Sequence, residues 1–269
     1  MQPVTEDARA KINLTLHVKG RREDGYHELS SIVAFAEVGD RLVIEPAPQN
    51  RVSVTGPFAQ DVPVDGNIIW KAWRHLAALM DVPAVAVHLE KNLPLAAGIG
   101  GGSADAAAML RGLLHLVKRQ LTADQVRGLA AIGADVPVCF QGEACLMEGI
   151  GEKMSAVPEK LPAAIVLVNP GVGCITSEVF KTIGLKPGEA HRAGDGLWRN
   201  DLLAPALVLQ PVIGDVLRAL GETSLGPCLM SGSGATCFGL AQSLGHAEGE
   251  ARQLAAAHPA WWVKAARLV

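Results

Sequence analysis

The feature that most constrains this chain is a glycine-rich loop followed directly by an alanine-rich run, PLAAGIGGGSADAAAML at 94–110. Glycine reaches backbone conformations that other residues avoid, and it lets a ligand approach the main chain closely. A helix that begins just after such a loop directs unpaired N–H groups and a partial positive charge toward it. The pattern therefore predicts an anion site, most often one for phosphate, with a plain connecting turn as the structural alternative.

The loop fits neither of the two common nucleotide-binding patterns. A P-loop has a lysine after its last glycine, whereas Ser103 directly follows Gly102 here. A dinucleotide fingerprint has differently spaced glycines, with an acidic residue about 20 residues further on, and only Asp124 lies near that distance. The sequence thus predicts a phosphate site of another class, most naturally one for a nucleotide.

The composition limits which partners and which cellular compartment are expected for this protein. The 269 residues suffice for one large domain or two lobes, and a net charge of −3 without a dense basic run speaks against a nucleic-acid partner. The N-terminus lacks the apolar core of a signal peptide, and no apolar run reaches the roughly 18 residues of a membrane span. Five scattered cysteines without CxxC pairing indicate a reduced, cytoplasmic protein.

The N-terminal segment carries two groups of candidate residues. Residues 8–18 alternate strictly, which predicts a half-buried strand with Lys11 and Asn13 on its polar face. That face could simply be solvated. The Asp24-Gly25 pair then predicts a hairpin, with Tyr26 and His27 just past the turn. A tyrosine ring could stack on a base and His27 could hydrogen-bond to its edge, although ordinary packing is the alternative for such a pair.

Further elements follow from apolar periodicity and turn residues. Residues 67–80 and 103–119 have helical spacing, and Asn67 and Thr122 have the sequence context of N-caps. We predict Thr176 as the cap of another short helix. The sequence also predicts separate strands at 29–35 and 41–46 around a Gly39-Asp40 turn. Other strands are predicted at 51–55, 84–89, 163–169 and 261–268, and other helices at 211–220 and 247–257.

An isolated carboxylate stands at Asp135, in the apolar sequence Gly133-Ala134-Asp135-Val136-Pro137. A carboxylate among apolar neighbours is costly if it is buried without a partner. Asp135 is therefore exposed in a turn, paired with a distant cation, or functional. Lys11 of the first strand is an attractive distant partner.

Glycines and prolines suggest how the chain divides. They cluster at 148–158, which places an N-terminal domain at 1–150 and a C-terminal domain at 151–269. Residues 186–195 have the composition of a surface loop. A second small-residue segment, LMSGSGATCFGL at 229–240, lies between apolar flanks.

Three blocks together resemble the GHMP small-molecule kinase superfamily. They are PLAAGIGGGSADAAA at 94–108, AKINLTLHVKGRREDGYHEL at 10–29 and MSGSGATCF at 230–238. The first resembles the phosphate-binding motif of this superfamily and the last its C-terminal glycine motif. The KIN, DGYH and GADVP blocks narrow the resemblance to those members that act on a cytidine diphosphate ester of methylerythritol.

The resemblance implies a two-lobe α+β fold with the active site in the cleft between an N-terminal and a C-terminal α+β domain. It implies ATP-dependent phosphorylation of the 2-hydroxyl of 4-diphosphocytidyl-2-C-methyl-D-erythritol, a step of the non-mevalonate isoprenoid pathway. The implied partners are this small molecule and ATP, with no nucleic acid and no membrane. Mg²⁺ is expected with ATP. The sequence does not identify its protein ligands; Ser103 is one possibility, with water and phosphate supplying the rest.

The resemblance also carries roles to particular residues. Asp135 matches the general base and Lys11 its catalytic partner. The substrate contacts match Asn13, Tyr26, His27, Thr176 and Phe180, with the Tyr26 ring and Phe180 on the cytosine. The ATP site matches the loop residues Pro94, Leu95, Ala96, Ala97, Gly98, Ile99, Gly100, Gly101, Gly102, Ser103 and Ala104.

Two departures and two alternatives accompany this hypothesis. Val33 stands where some family members have an aromatic residue near the substrate, and 186–196 aligns with no family segment. Another kinase of the superfamily, acting on mevalonate or homoserine, is the first alternative. The second is a catalytically silent sensor with the same fold, which would be expected to lack Lys11 or Asp135.

Overall fold

The computed structural model of the chain describes residues 2–63, 66–157, 160–191, 194 and 196–269. Pro158 of the predicted domain boundary, and part of the predicted surface loop at 186–195, lie outside the described residues. The chain forms two compact units, each discontinuous in sequence. The first unit comprises Met1–Ala10, Gly39–Leu95 and Gly100–Gly142; the second comprises Lys11–Val38, Ala96–Ile99 and Glu143–Val269.

The first unit joins a small set of strands to the helices that carry most of its core. Strand β3 (His27–Pro46) contributes its last residues, which pair antiparallel with β5 (Val85–Glu90), and β4 (Arg51–Thr55) pairs parallel with β5. The helices are α1 (Ile68–Ala77), α2 (Gly101–Val117), α3 (Ala123–Gly128) and α4 (Val136–Gln141), with short 3₁₀ turns at Ala59–Asp61 and Leu129–Ala131.

Helix α2 is the central helix of the first unit. Eleven of its 17 residues are buried, and it packs against both α1 and α4. Its first half is rich in alanine, which lets neighbouring elements approach closely. Asn67 caps α1 by accepting a hydrogen bond from the Ile69 N–H at 3.1 Å, and Thr122 and Gln125 form a capping box on α3. Both predicted caps are confirmed.

The second unit contains two groups of strands. Here β2 (His17–Arg21) and β6 (Cys145–Gly149) both pair antiparallel with the first part of β3, and β6 also pairs with β7 (Lys153–Ser155). A four-stranded antiparallel sheet has the order β11-β8-β10-β9, and its members are β8 (Ala164–Asn169), β9 (Cys228–Met230), β10 (Cys237–Ala241) and β11 (Trp262–Arg267).

The described residues of the second unit also form four helices: α5 (Thr176–Ile183), α6 (Leu203–Leu209), α7 (Val212–Gly221) and α8 (Leu244–Ala257). Every residue of β8 is buried. Three of them, Ala164, Val166 and Val168, share a core with side chains of helices α7 and α8. The second unit is therefore α+β, like the first. The linear boundary near residue 150 stays a prediction.

Two predicted strands are one strand, and the turn predicted between them is wrong. Strand β3 runs unbroken through Gly39 and Asp40. A Cβ at Gly39 would lie 2.3 Å from the Ala8 carbonyl oxygen, so glycine is needed here because two backbones approach closely. Asp40 is buried as a hydrogen-bond acceptor. Gly-Asp pairs are common in turns, and local sequence does not distinguish these uses.

Two other local predictions change, and one short helix is additional to those predicted. Strand β1 (Val4–Asn13) ends before Leu14, and its polar face is not solvated, because Lys11 and Asn13 are 4% and 2% exposed. The N-cap of α5 is Ile175, not Thr176. The six-residue helix α4 that begins after Asp135 was not predicted.

Candidate active site

The glycine loop leads into the start of α2 in the first unit. Gly100 is the N-cap residue and has a φ of 65°, in the left-handed region that glycine adopts without strain. Gly101, Gly102 and Ser103 form the first helical positions, where backbone N–H groups have no acceptor within the helix. Because no side chain caps this end, its N–H groups and dipole remain available to an anion.

Three buried charged side chains connect the two ends of this loop. Lys91, which precedes the loop, donates from Nζ to Asp105 Oδ2 at 2.7 Å and to Asp40 Oδ2. Asp105 is the fifth residue of α2. Asp40 Oδ1 accepts the backbone N–H groups of Asn92 at 2.6 Å and Leu93 at 2.8 Å. We call Lys91, Asp40 and Asp105 the loop clamp.

The loop clamp contains two carboxyl groups for one ammonium group. All three residues are at most 4% exposed, and Asp105 Oδ1 has no hydrogen-bond partner among the described residues. Burial raises the pKa of Asp105 to about 8, against the lowering effect of Lys91, and the neighbouring Asp40 raises it further. The pKa of Lys91 is raised, because the attraction of the two carboxylates outweighs desolvation.

Asp135 lies in the same unit as the helical end of the loop. It occupies the N-cap position of α4 and is half-buried, with its backbone carbonyl accepting from the Cys139 N–H at 3.0 Å. A Cβ built on nearby Gly133 would lie 3.7 Å from Ser103 Oγ. The segment that carries the predicted base therefore passes beside the first turn of the predicted phosphate-binding helix.

The tip of the loop, Ala96–Ile99, belongs to the second unit, where the main chain holds it from three sides. The Lys11 N–H donates to the Ile99 carbonyl at 2.9 Å, the Thr236 N–H to Ala97 at 3.1 Å, and the Cys174 N–H to Ala96 at 2.8 Å. These bonds fix the predicted lysine and the loop tip in one backbone network.

Ser231 of the C-terminal glycine motif joins the loop tip to the predicted substrate side. Its hydroxyl donates to the Gly98 carbonyl at 2.9 Å and accepts from the Asn13 N–H at 3.1 Å. A Cβ at Gly98 would lie 2.4 Å from the Ser231 carbonyl oxygen, so only glycine permits this approach. Asn13 also donates from Nδ2 to Ser31 Oγ at 2.7 Å.

The predicted base-binding residues form an aromatic pair in the second unit. The rings of His27 and Phe180 stack with centroids 4.6 Å apart and an interplanar angle of 27°. Burial lowers the pKa of His27, and the charges of Arg21 and His191 lower it further. His27 Nε2 is buried without a hydrogen-bond partner in the part of the chain described, so its hydrogen-bonding capacity is unused.

Tyr26 and Thr176, the two remaining predicted substrate contacts, have different surroundings. Tyr26 is 61% exposed, and its backbone N–H donates to Asp24 Oδ1 at 3.2 Å. Its predicted stacking on a base stays a prediction. Thr176 Oγ1 hydrogen-bonds with Ser233 Oγ at 2.9 Å, which connects the start of α5 to the C-terminal glycine motif. The Thr176 hydroxyl thus bonds to this motif and does not cap the N-terminus of α5.

The sequence predicted site residues in both units, but it did not predict several residues that hydrogen-bond to the same segments. Ser231 lay in a motif that was noticed, whereas the loop clamp was not predicted. Asn200, also missed, donates from Nδ2 to the carbonyls of Met230 at 2.7 Å and Gly232 at 2.8 Å. One usable signal existed: Asp105 stands alone in the alanine-rich start of α2, as Asp135 does in its own segment.

Comparisons with known proteins identify the class of molecule. Residues 67–143 match the family model for the GHMP kinases N terminal domain, and residues 187–260 match that for the GHMP kinases C terminal. A homoserine kinase from Cytophaga hutchinsonii has a TM-score of 0.71 at 15% identity, covering 99% of this chain and 95% of its own, which shows the shared fold alone. The chain is a GHMP kinase, and therefore an ATP-dependent kinase.

Two further relatives narrow the class. A 4-diphosphocytidyl-2-C-methyl-D-erythritol kinase from Paramagnetospirillum magneticum is 47% identical over 280 residues, which cover 98% of each chain. A crystal structure of 4-(cytidine 5'-diphospho)-2C-methyl-D-erythritol kinase has a TM-score of 0.79 at 32% identity, covering 98% of this chain and 99% of its own. The chain belongs to the 4-diphosphocytidyl-2-C-methyl-D-erythritol kinase family. The resemblance stated from the sequence is confirmed, and family membership disfavours both alternatives.

Proposed function

We propose that this protein transfers the γ-phosphoryl group of ATP to the 2-hydroxyl of 4-diphosphocytidyl-2-C-methyl-D-erythritol, a step of the non-mevalonate route to isoprenoid precursors. The observation that carries the proposal is the 47% identity over nearly the full length of a kinase with this name. A cytoplasmic site of action belongs to the proposal. It is consistent with Cys145, Cys174, Cys228 and Cys237 being free thiols.

The glycine loop holds the phosphates of ATP in this proposal. The left-handed Gly100 and the uncapped start of α2 support the assignment, since both favour an anion at the helix N-terminus. The ATP site then comprises Pro94–Ala104. Domain limits of 1–150 and 151–269 also remain part of the proposal, supported by family matches that lie on either side of residue 150.

Asp135 acts as the general base and Lys11 as its catalytic partner. Asp135 accepts the proton of the substrate hydroxyl as that oxygen attacks the γ-phosphorus and the bond to the leaving ADP oxygen breaks. Lys11 stabilises the negative charge on the transferring group and orients the carboxylate. The backbone bond from Lys11 to Ile99 supports this role, because it fixes the lysine beside the loop tip.

Mg²⁺ accompanies ATP, where it offsets phosphate charge. Among the described residues, no group of three or more His, Cys, Asp or Glu side chains could hold a metal ion. This fits an ion held mainly by phosphate oxygens and water, as is usual for Mg²⁺ with a nucleotide. Ser103, in the first turn of α2, is the candidate protein ligand.

The cytidine end of the substrate lies against the His27–Phe180 pair. The unpartnered His27 Nε2 supports this assignment, because a buried ring nitrogen gains most from a ligand that hydrogen-bonds to it. Asn13 and Thr176 contribute polar contacts, and the exposed Tyr26 ring covers the base.

Replacing the base tests the mechanism. We expect Asp135→Asn to lower kcat by about 10²–10⁴-fold and to leave the Kd for ATP nearly unchanged, because only proton acceptance is lost. Single-turnover kinetics and equilibrium nucleotide binding measure the two effects. Asp124→Asn, at an exposed carboxylate in the first turn of α3, is the matched control. Turnover close to that of the control would remove Asp135 from the mechanism.

A substrate panel tests the reaction itself. ADP release is measured with the cytidine substrate, mevalonate and homoserine at equal concentrations. We expect turnover with the cytidine compound alone, because the aromatic pair and His27 are suited to a base that the other two compounds lack. Phosphorylation of mevalonate or homoserine without phosphorylation of the cytidine compound would contradict the proposed substrate.

A further inference from the structure

The loop clamp connects the residues just before the glycine loop to the helix just after it. Asp40 fixes the leading segment through the N–H groups of Asn92 and Leu93. Asp105 lies on α2, one turn beyond the helix start. Lys91 bonds to both carboxyl groups, so the two ends of the loop are joined by one buried cation.

The clamp also lies against the main chain that the proposed ATP site uses. A Cβ built on Gly101 would be 3.4 Å from Lys91 Nζ, which places the ammonium group directly beside the first residue of α2. The clamp therefore fixes where the first N–H groups of α2 stand relative to the segment that leads into the loop.

Stability alone is a poor explanation for such an arrangement. Burying an ion pair together with a third carboxyl group is expensive, and apolar residues of similar size often serve a fold equally well. The free Asp105 Oδ1 adds to the cost, since buried polar atoms are normally paired. What these polar groups provide is directional bonding at both ends of a loop whose glycines impose little conformational order of their own.

We propose that Lys91, Asp40 and Asp105 are positioning residues that hold the glycine loop in its ATP-binding conformation and thereby set the KM for ATP. This inference rests on the proposed assignment of the loop to the ATP phosphates. The clamp acts through the loop backbone, so its effect falls on the nucleotide rather than on the cytidine substrate.

Asp105→Ala is the decisive variant. It releases α2 from Lys91 but leaves the buried Lys91–Asp40 pair neutral, so the chain retains its folding capacity. We expect the KM for ATP to rise about tenfold and the KM for the cytidine substrate to change less than twofold. Asp105→Asn, whose amide oxygen can still accept from Lys91, should restore the KM for ATP to within about threefold of the parent value.

Leu116→Ala is the matched control, because it truncates another buried side chain of α2 far from the loop. A merely structural role predicts that Asp105→Ala and Leu116→Ala shift both KM values alike, and that outcome would overturn the proposal. An unchanged KM for ATP in Asp105→Ala, measured well below the Tm of this variant, would also overturn the proposal.

Gly102→Ala separates this inference from the ATP-loop assignment. It adds a methyl group at the loop itself and leaves the clamp intact, and the Kd of a fluorescent ATP analogue reports on it without turnover. A raised Kd in Gly102→Ala with an unchanged Kd in Asp105→Ala refutes the clamp alone. Unchanged Kd values in both variants refute the clamp and the loop assignment together.

Discussion

Asp105 shows how a single buried side chain can shape the behaviour of the protein. Its sequence context, an acid among alanines, resembles that of Asp135. Their surroundings differ: Asp135 begins a short helix and is half-buried, whereas Asp105 lies 3% exposed beside Lys91 and Asp40. Aspartate is therefore the proposed general base at position 135 and a member of the proposed loop clamp at position 105.

The raised pKa of Asp105 predicts a pH dependence of stability. The folded form holds a proton up to a pH of about 8, whereas an aspartate in the unfolded chain releases its proton near its ordinary pKa of 3.8. The folded state thus binds more protons between these values, and the free energy of unfolding falls as the pH rises from about 4 to about 8. The stabilising effect of Lys91, whose pKa is raised, is lost only at pH values above 10.5.

Thermal melts from pH 5 to pH 9 measure this effect as the difference in Tm between the parent protein and Asp105→Asn. We expect the variant to gain relative to the parent as the pH rises, because asparagine has no proton to release. A Tm difference that stays constant over this range would show that Asp105 does not titrate in the folded state.

At the scale of elements, helix α2 combines two predictions that the sequence made for different reasons. Its alanine and leucine content predicted a helix, and the glycines before it predicted an anion site. Both predictions apply to Gly102, the second residue of the helix. Apart from the adjacent residues and the backbone of α2 itself, Ile68 Cγ2 at 3.9 Å is the only atom of the described residues within 4 Å of a Cβ built there.

Gly102→Ala is therefore expected to change stability and ATP binding in opposite directions. Alanine in a helix is favoured over glycine by about 0.5–1 kcal/mol, and the protein has room for the methyl group. A phosphate on the N–H groups of α2 would meet that methyl group, so the KM for ATP should rise. Denaturant unfolding and steady-state kinetics test both effects. A stabilised variant with an unchanged KM would place the phosphates elsewhere.

Other elements show where local sequence misleads. The Gly39-Asp40 pair predicted a turn, yet it lies inside the 20-residue strand β3. Local preferences at these two residues give way to a close backbone approach at Gly39 and to the acceptor role of Asp40. The helix caps Asn67 and Thr122 were predictable, because each bonds to a backbone group only two or three residues away.

At the scale of the whole molecule, each unit is made of segments distant in sequence. Lys11–Val38 and Ala96–Ile99 belong with the C-terminal segments from Glu143 onward. The described part of the chain contains no helix with the length and hydrophobicity needed to cross a membrane. Ligand binding should stabilise such an assembly of segments, because the loop proposed to bind ATP connects with elements from three regions of the sequence.

ATP at 100 times its Kd is expected to raise the free energy of unfolding by about 2.7 kcal/mol, which corresponds to a Tm increase of about 5–10 °C. Adenosine at the same concentration should give a much smaller shift, since it lacks the phosphates that the loop is proposed to bind. Differential scanning fluorimetry measures both. Equal shifts for ATP and adenosine would argue against a phosphate-dominated site.

The sequence by itself determined the family, the α+β class and the residues with proposed chemical roles, because the glycine loop and the KIN, DGYH and GADVP blocks are local patterns of high specificity. It also determined the caps of α1 and α3 and most helices, which depend on neighbours within one turn. Only the tertiary structure decided that Lys11 and Asn13 are buried, that Ser231 joins Gly98 to Asn13, and that Lys91 lies between Asp40 and Asp105. These contacts join residues from 14 to 218 positions apart, and no local pattern records which distant side chain will satisfy a buried polar atom.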